Sequence, residues 1–108
     1  MEISTSQHAG NLVIHIHANR LDAASAMTFK QAVEAALPDK GAGIILDLAE
    51  VSFMDSSGLG AVVAVHKGLH GGQIKVVGLQ QAVQELFRLT RMDRIFQCHG
   101  SVNEAIKA

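Results

Sequence analysis

Between Asn11 and Ala18 the chain reads NLVIHIHA, in which Leu12, Ile14 and Ile16 alternate with Val13, His15 and His17. A period of two is that of a strand with one buried face. MEIST at the start of the chain, joined through HAG, reads as its hairpin partner. Over Asp22 to Leu37 the period changes, with Ala26, Phe29, Val33 and Ala36 or Leu37 recurring at helical spacing. Asp22 can cap the start of that helix, and Pro38 stands just past its end. GIILDLAEVSFM gives a short, almost continuously apolar strand centred on Ile44 to Leu48, the pattern of a strand covered by other elements. The spacing then predicts a helix over Gly58 to His70 closed by Gly71 and Gly72, and a strand in QIKVVGL. QAVQELFRL and SVNEAIKA carry apolar residues at helical spacing, with RIFQC between them as a short last strand. Strands alternating with helices imply an α/β domain whose central strands run parallel through right-handed crossovers. The N-terminal hairpin adds an antiparallel edge, so the sheet is expected to be mixed.

At 108 residues the chain is one domain, residues 1–108, with no room for a second core. Apolar residues make up 48% and charged residues 18%, with a formal net charge of -1, so charge points neither to nucleic acid nor to any other partner. No tryptophan or tyrosine is present, which removes most of the stacking surface that single-stranded nucleic acid needs. The start lacks a signal-peptide pattern, and no apolar run approaches the roughly 20 residues of a spanning helix. The expectation is a cytoplasmic protein without membrane insertion. A single cysteine, Cys98, allows no internal disulfide and is expected to be a small core residue.

The stretch VSFMDSSGLGAVV, Val51 to Val63, places an acid, two hydroxyls and two glycines where a strand gives way to a helix. Asp55, Ser56 and Ser57 would then sit among free backbone N–H groups, where the helix dipole favours negative charge. Gly58 and Gly60 carry no Cβ and allow a close approach of a partner or phosphoryl group. Two readings stay open at this point: a serine N-cap, or a phosphate site. Other chemistry fails on spacing. No glycine stands two residues before Ser56, and no histidine and acid can be assigned to a triad, which argues against an acyl hydrolase. A Walker loop is missing, and GLGAVV holds only two glycines of a dinucleotide fingerprint. His15 and His17 share a strand face, and His66 and His70 a helix face, yet neither pair comes with an evident carboxylate or cysteine to complete a zinc site. They read as solvent-facing or half-buried side chains with, at most, adventitious metal binding; His8 and His99 add nothing. Arg88, Arg91 and Arg94 form either a basic contact patch or a solvated helix end. No cofactor is implied and no enzyme activity is expected.

Taken in order, RLD (Arg20 to Asp22), IILDLAEVSFMDSSGLGAVV (Ile44 to Val63) and IKVVGLQQAVQELFRLTRMDRIF (Ile74 to Phe96) resemble the STAS domain of bacterial anti-sigma factor antagonists. FMDSSGLG is the most specific part, and the resemblance spans nearly the whole chain. It implies a mixed sheet of four or five strands with helices largely on one face. It also implies a phosphorylation switch: the unmodified antagonist binds an anti-sigma factor that is a serine kinase, is released when phosphorylated, and is reset by a metal-dependent serine phosphatase. Ser56 matches the phosphate acceptor. Asp55 precedes it, Ser57 is its neighbour and helix cap, and Asp22 matches an acid lying beside it. Asn19, Gly58, Leu59 and Gly60 fall on the partner-binding surface. Asn19 stands where the family usually has glycine, and asparagine is the residue that best tolerates positive φ. The same domain type also serves as a non-switching accessory subunit of an ABC transporter or as a signalling scaffold, and GLGAVV leaves a nucleotide-binding sensor as a further alternative.

Overall fold

Strand β1 (Ile3–His8) and strand β2 (Asn11–Ile16) pair antiparallel across Ala9 and Gly10, the hairpin that the alternation predicts. The computed structural model describes residues 1–38, 43–69 and 74–107. Both turn residues have positive φ, 51° at Ala9 and 82° at Gly10, the conformation that a two-residue hairpin needs to match the twist of its strands. Gly10 adopts it freely, whereas Ala9 does so against its own Cβ.

After β2 comes a two-residue strand, β3 (Arg20–Leu21), then helix α1 (Ala26–Ala36). The helix is capped at Ser25, three residues later than expected, because Asp22 forms a turn of its own. Its Oδ1 accepts hydrogen bonds from the Ala24 N–H and the Ser25 hydroxyl at 3.1 and 3.2 Å, the local competition by which aspartate delays helix. At the far end Leu37 is extended, φ −70° and ψ 138°, as the residue before Pro38 must be.

The long apolar run divides in two. Its first part is β4 (Gly43–Asp47), and its second is the two-residue β5 (Phe53–Met54), which pairs parallel with β3 in a separate small sheet. Helix α2 (Ser56–Lys67), strand β6 (Ile74–Val77), helix α3 (Gln81–Leu89), a single 3-10 turn over Met92–Arg94, strand β7 (Gln97–His99) and helix α4 (Val102–Lys107) follow. Gly68 closes α2 by donating to the Ala64 carbonyl at 3.1 Å; His70, Gly71 and Gly72, expected to end this helix, lie outside the described residues. The main sheet has the order β1-β2-β4-β6-β7, with every pairing after the hairpin parallel. It is the mixed five-stranded sheet that the sequence implies.

Three helices cover one face. Phe29 and Val33 of α1, Leu59, Val62 and Val65 of α2, and Val83 and Phe87 of α3 pack on Leu12, Ile14, Ile16, Ile44, Leu46, Ile74 and Val76. Each such side chain taken fully out of water contributes roughly 1.5–3 kcal/mol. The opposite face carries a smaller cluster of Val13, Ile45 and Val77 under Ala105 of α4, which accounts for the unbroken apolar character of β4. No polar or charged residue is buried among the described residues. Cys98 corrects another expectation. It lies on the edge strand β7 and is exposed, bordering a cleft of about 510 Å³ with Phe87, Arg94 and Phe96, because an edge strand has no neighbour on its outer side.

Replacing Ala9 by asparagine makes the Asn-Gly pair that such turns favour. The expected gain is about 0.5–1 kcal/mol. A thermal unfolding midpoint raised by several degrees would register it.

Candidate functional site

At the C-terminal ends of the parallel strands the small β3·β5 sheet presents the start of α2. Asn19 holds the approach: its carbonyl accepts from the backbone N–H groups of Ser52 and Phe53 at 2.8 and 3.1 Å, and from the Ser52 hydroxyl at 3.1 Å. Asn19 does not use the left-handed region for this. Among the described residues other than glycine, positive φ is confined to Ala9 and Arg91. One step further on, the Asp55 N–H donates to the Leu21 carbonyl at 3.1 Å.

Asp55, rather than a serine, caps α2. Its backbone is extended, and its Oδ1 accepts from the Gly58 N–H at 3.0 Å, the reach of a side chain at the cap position to the third helical N–H. The expectation that Ser57 caps and Gly58 opens the helix is corrected accordingly: the carboxylate satisfies the donor that a hydroxyl would have taken, and the helix starts two residues earlier. The other oxygen, Oδ2, accepts from the Ala23 N–H at 3.2 Å. One carboxylate thus ties the turn before α1 to the start of α2.

Asp22 stands on the same turn. Besides Ala24 and Ser25, it accepts from Arg20 Nε at 3.1 Å. That hydrogen bond, outweighing the desolvation that opposes it, holds the Asp22 carboxyl below the ordinary value of 3.8. The Arg20 guanidinium in turn lies 4.3 Å from the centroid of the Phe53 ring, and Phe53 is 39% exposed. Arg20, Ala23 and Phe53 were not singled out by sequence reasoning. The RLD spacing hinted at the first, whereas the backbone of Ala23 and the ring of Phe53 carry no sequence signal.

Ser56 and Ser57 are the first two helical residues. Both are exposed, and neither hydroxyl makes a hydrogen bond among the described residues. Gly58 and Leu59, expected on a docking surface, are buried instead. A Cβ on Gly58 would come within 2.1 Å of the Leu21 carbonyl oxygen, so this glycine lets α2 press on β3, and Leu59 belongs to the core. Gly60 does face outward, with nothing within 4 Å of where a Cβ would stand. The exposed residues around the acceptor candidate are therefore Ser56, Ser57 and Gly60, next to the Asp55 cap, whose carboxylate also holds Ala23, the residue after Asp22.

The remaining candidates lie elsewhere. His66 is half-buried and packs on Phe96 with ring centroids 4.8 Å apart; its expected companion His70 lies outside the described residues. His15 and His17, which sequence spacing left without carboxylates, each acquire one: Asp47 at 2.8 Å and Glu50 at 2.6 Å. Among the described residues no group of three or more His, Cys, Asp or Glu side chains is arranged to hold a metal ion. Of the three arginines, Arg88 pairs with Glu85, and all three are exposed at the end of α3. No helix among the described residues is long and apolar enough to cross a membrane.

The STAS domain family model matches residues 2–105. A Listeria monocytogenes protein named anti-sigma-B factor antagonist is 37% identical over 82 residues, covering 74% of this chain and 72% of that one. Its namesake from Bacillus subtilis is 29% identical over 97 residues, covering 88% and 87%. Among solved structures, an anti-sigma factor antagonist from Mycobacterium paratuberculosis superposes with a TM-score of 0.86 at 25% identity, covering 98% of this chain and 91% of that one.

The two glycines respond oppositely to alanine. Gly58→Ala is expected to cost about 2 kcal/mol or more through overpacking on Leu21, and Gly60→Ala to stabilise by up to about 1 kcal/mol through helix propensity; urea denaturation reads both. Asp22 gives a pH dependence. Its folded-state pKa lies below the unfolded value, so its stabilisation is fully present above pH 3.8 and is lost as pH falls through the folded value. The stability difference between wild type and Asp22→Asn should be constant near neutrality and shrink on acidification below that point, which denaturation at pH 7 and pH 3 compares.

Proposed function

Because the chain belongs to the STAS domain family, we propose that it is an anti-sigma factor antagonist working by partner switching. In the unmodified state the face around Ser56 docks on an anti-sigma factor that is also a serine kinase. Phosphate transfer to Ser56 ends that complex, and a metal-dependent serine phosphatase restores it. The action takes place in the cytoplasm and needs no cofactor of the antagonist's own.

The observation that carries this reading is the placement of Ser56: an exposed hydroxyl on the first residue of α2, held there by the Asp55 cap, in a chain similar to proteins named anti-sigma-B factor antagonists. An acceptor must reach a kinase without unfolding. Ser56 meets that condition, since no hydrogen bond of its side chain has to break first.

Two effects compete once phosphate is attached. It brings about -1.5 to -2 charges, and a helix N-terminus stabilises such charge by typically ~0.3–1 kcal/mol. Asp55 and Asp22 repel it, and a docked partner would have to desolvate it. The fold therefore tolerates the group while the interface does not. A loss of about 2.8 kcal/mol in docking is a hundredfold in affinity, enough for a switch without refolding.

Binding of the cognate anti-sigma kinase to wild type, Ser56→Ala and Ser56→Asp tests this directly. The alanine variant should bind and resist release by ATP, and the aspartate variant should bind about a hundredfold more weakly. Equal binding of the two variants, or phosphate mapped by fragment mass spectrometry to Ser57, would overturn the assignment of Ser56.

A further inference from the structure

On the sheet face that carries α4, the hairpin strands hold a polar network. His15 of β2 and His17, one residue past its end, project there beside Val13, and Ser4 lies directly opposite His15 in the ladder. Ser4 Oγ is 2.7 Å from His17 Nε2, and His17 Nδ1 is 2.6 Å from Glu50 Oε2. A second set repeats the pattern one pair along, Ser6 Oγ to His15 Nε2 at 3.1 Å and His15 Nδ1 to Asp47 Oδ2 at 2.8 Å. The two imidazoles stack with centroids 6.4 Å apart and 19° between planes.

From this geometry we propose that Ser4 is an activated nucleophile, able to accept an acyl or phosphonyl group from a donor with a good leaving group. An ionised Glu50 only accepts hydrogen bonds, so in the neutral ring Nδ1 carries the proton and Nε2 carries the lone pair. The Ser4 hydroxyl must then donate to Nε2, the polarity of a serine whose proton is to be removed by histidine, with the carboxylate holding the tautomer. Ser6 is the poorer nucleophile, because its oxygen is also 3.1 Å from His8 Nε2 and shares its lone pairs with that donor.

The edge position supplies the second requirement. β1 has no neighbour on its outer side, and the His17 N–H donates to the Glu2 carbonyl at 3.1 Å. Antiparallel alternation then turns Glu2 and Ser4 inward and leaves the N–H groups of Ile3 and Thr5 facing the open edge. The N–H of the residue following the nucleophile is a recurrent oxyanion donor in acyl transfer, and here that residue is Thr5. In the step, Ser4 Oγ forms the bond to the carbonyl carbon as its proton passes to His17 Nε2. Glu50 stabilises the imidazolium, and the alkoxide leaves with that same proton, so an ester and Ser4 give acyl-Ser4 and an alcohol. With a fluorophosphonate the O–P bond forms, the P–F bond breaks and fluoride departs.

A fluorophosphonate probe tests the proposal on the intact chain, with peptide mass spectrometry locating the adduct and a thermal midpoint recorded for each variant. Wild type is expected to label on Ser4, Ser4→Ala to lose the label, and Ser6→Ala to keep it. His17→Gln should label about 10²-fold more slowly, the usual worth of a general base. Glu50→Gln, which keeps a side-chain oxygen for Nδ1 but not its charge, should slow labelling as well. No adduct on Ser4 in wild type, or a wild-type rate in a folded His17→Gln, would overturn it.

Discussion

One carboxylate holds the start of α2 to the turn before α1. Asp55 closes the first turn of α2 through the Gly58 N–H and clamps the turn before α1 through the Ala23 N–H. Its own N–H is fixed to the Leu21 carbonyl. Two segments far apart in the chain, residues 21–23 and 53–60, are therefore positioned by a single side chain and its backbone. The missing Cβ of Gly58 is what lets this closure occur, because any side-chain atom there would collide with Leu21. Truncating such a cap typically costs ~1 kcal/mol of stability, and here it would also release the turn that carries Asp22.

This arrangement separates the contacts that stabilise the fold from the surface on which the proposed switch would act. No polar or charged residue is wholly buried among those described, so no buried charge among them has to respond to one added at the rim. Ser56 and Ser57 lie outside the Asp55 hydrogen bonds. A phosphate there would change the field and the shape of the surface without breaking a bond on which the fold depends. Arg20 has a double role in that field. It holds the Asp22 carboxylate and lies over the half-exposed Phe53 ring, so an apolar contact and a fixed anion sit side by side, the pairing of anchor and charge that gives an interface both affinity and selectivity.

Much of the fold could be read from periodicity because burial is written one face at a time. The alternation of Leu12, Ile14 and Ile16 with His15 and His17 marks a strand with two unlike faces, and the unbroken run at Ile44 to Leu46 marks one covered on both, as α4 over Ile45 explains. Helix α3 matches its expected bounds for the same reason. What escaped the pattern lacks a period. β3 and β5 are two residues each, too short to alternate, and they hid inside a loop and the tail of a strand. Asp22 read as a helix cap because its type and position fit one, yet its side chain closes a turn instead. Cys98 read as core because cysteine usually is, but strand order, which decides whether a strand has a neighbour, is not in the local sequence. At the junction before α2 the sequence offered a serine as the cap, because serine and aspartate are both short polar side chains able to take that position, and the fold gives it to Asp55.

The histidine pair shows how register creates chemistry that spacing conceals. Ser4, His17 and Glu50 are spread over nearly half the chain, and no motif joins them. The hairpin turn fixes Ser4 opposite His15 and hence diagonal to His17, while the parallel pairing of β2 with β4 sets His15 against Asp47 and brings Glu50 within reach just beyond. A slip of one residue in either ladder would send these side chains to the other face. The apolar core that fixes the register thus also fixes the orientation of two Ser–His–carboxylate sets, one on each pair of neighbouring rungs. Their placement at the edge strand of the sheet, away from the cleft beside Cys98, favours capture of a reactive group over turnover of a bound substrate, which needs walls that orient the substrate and exclude water.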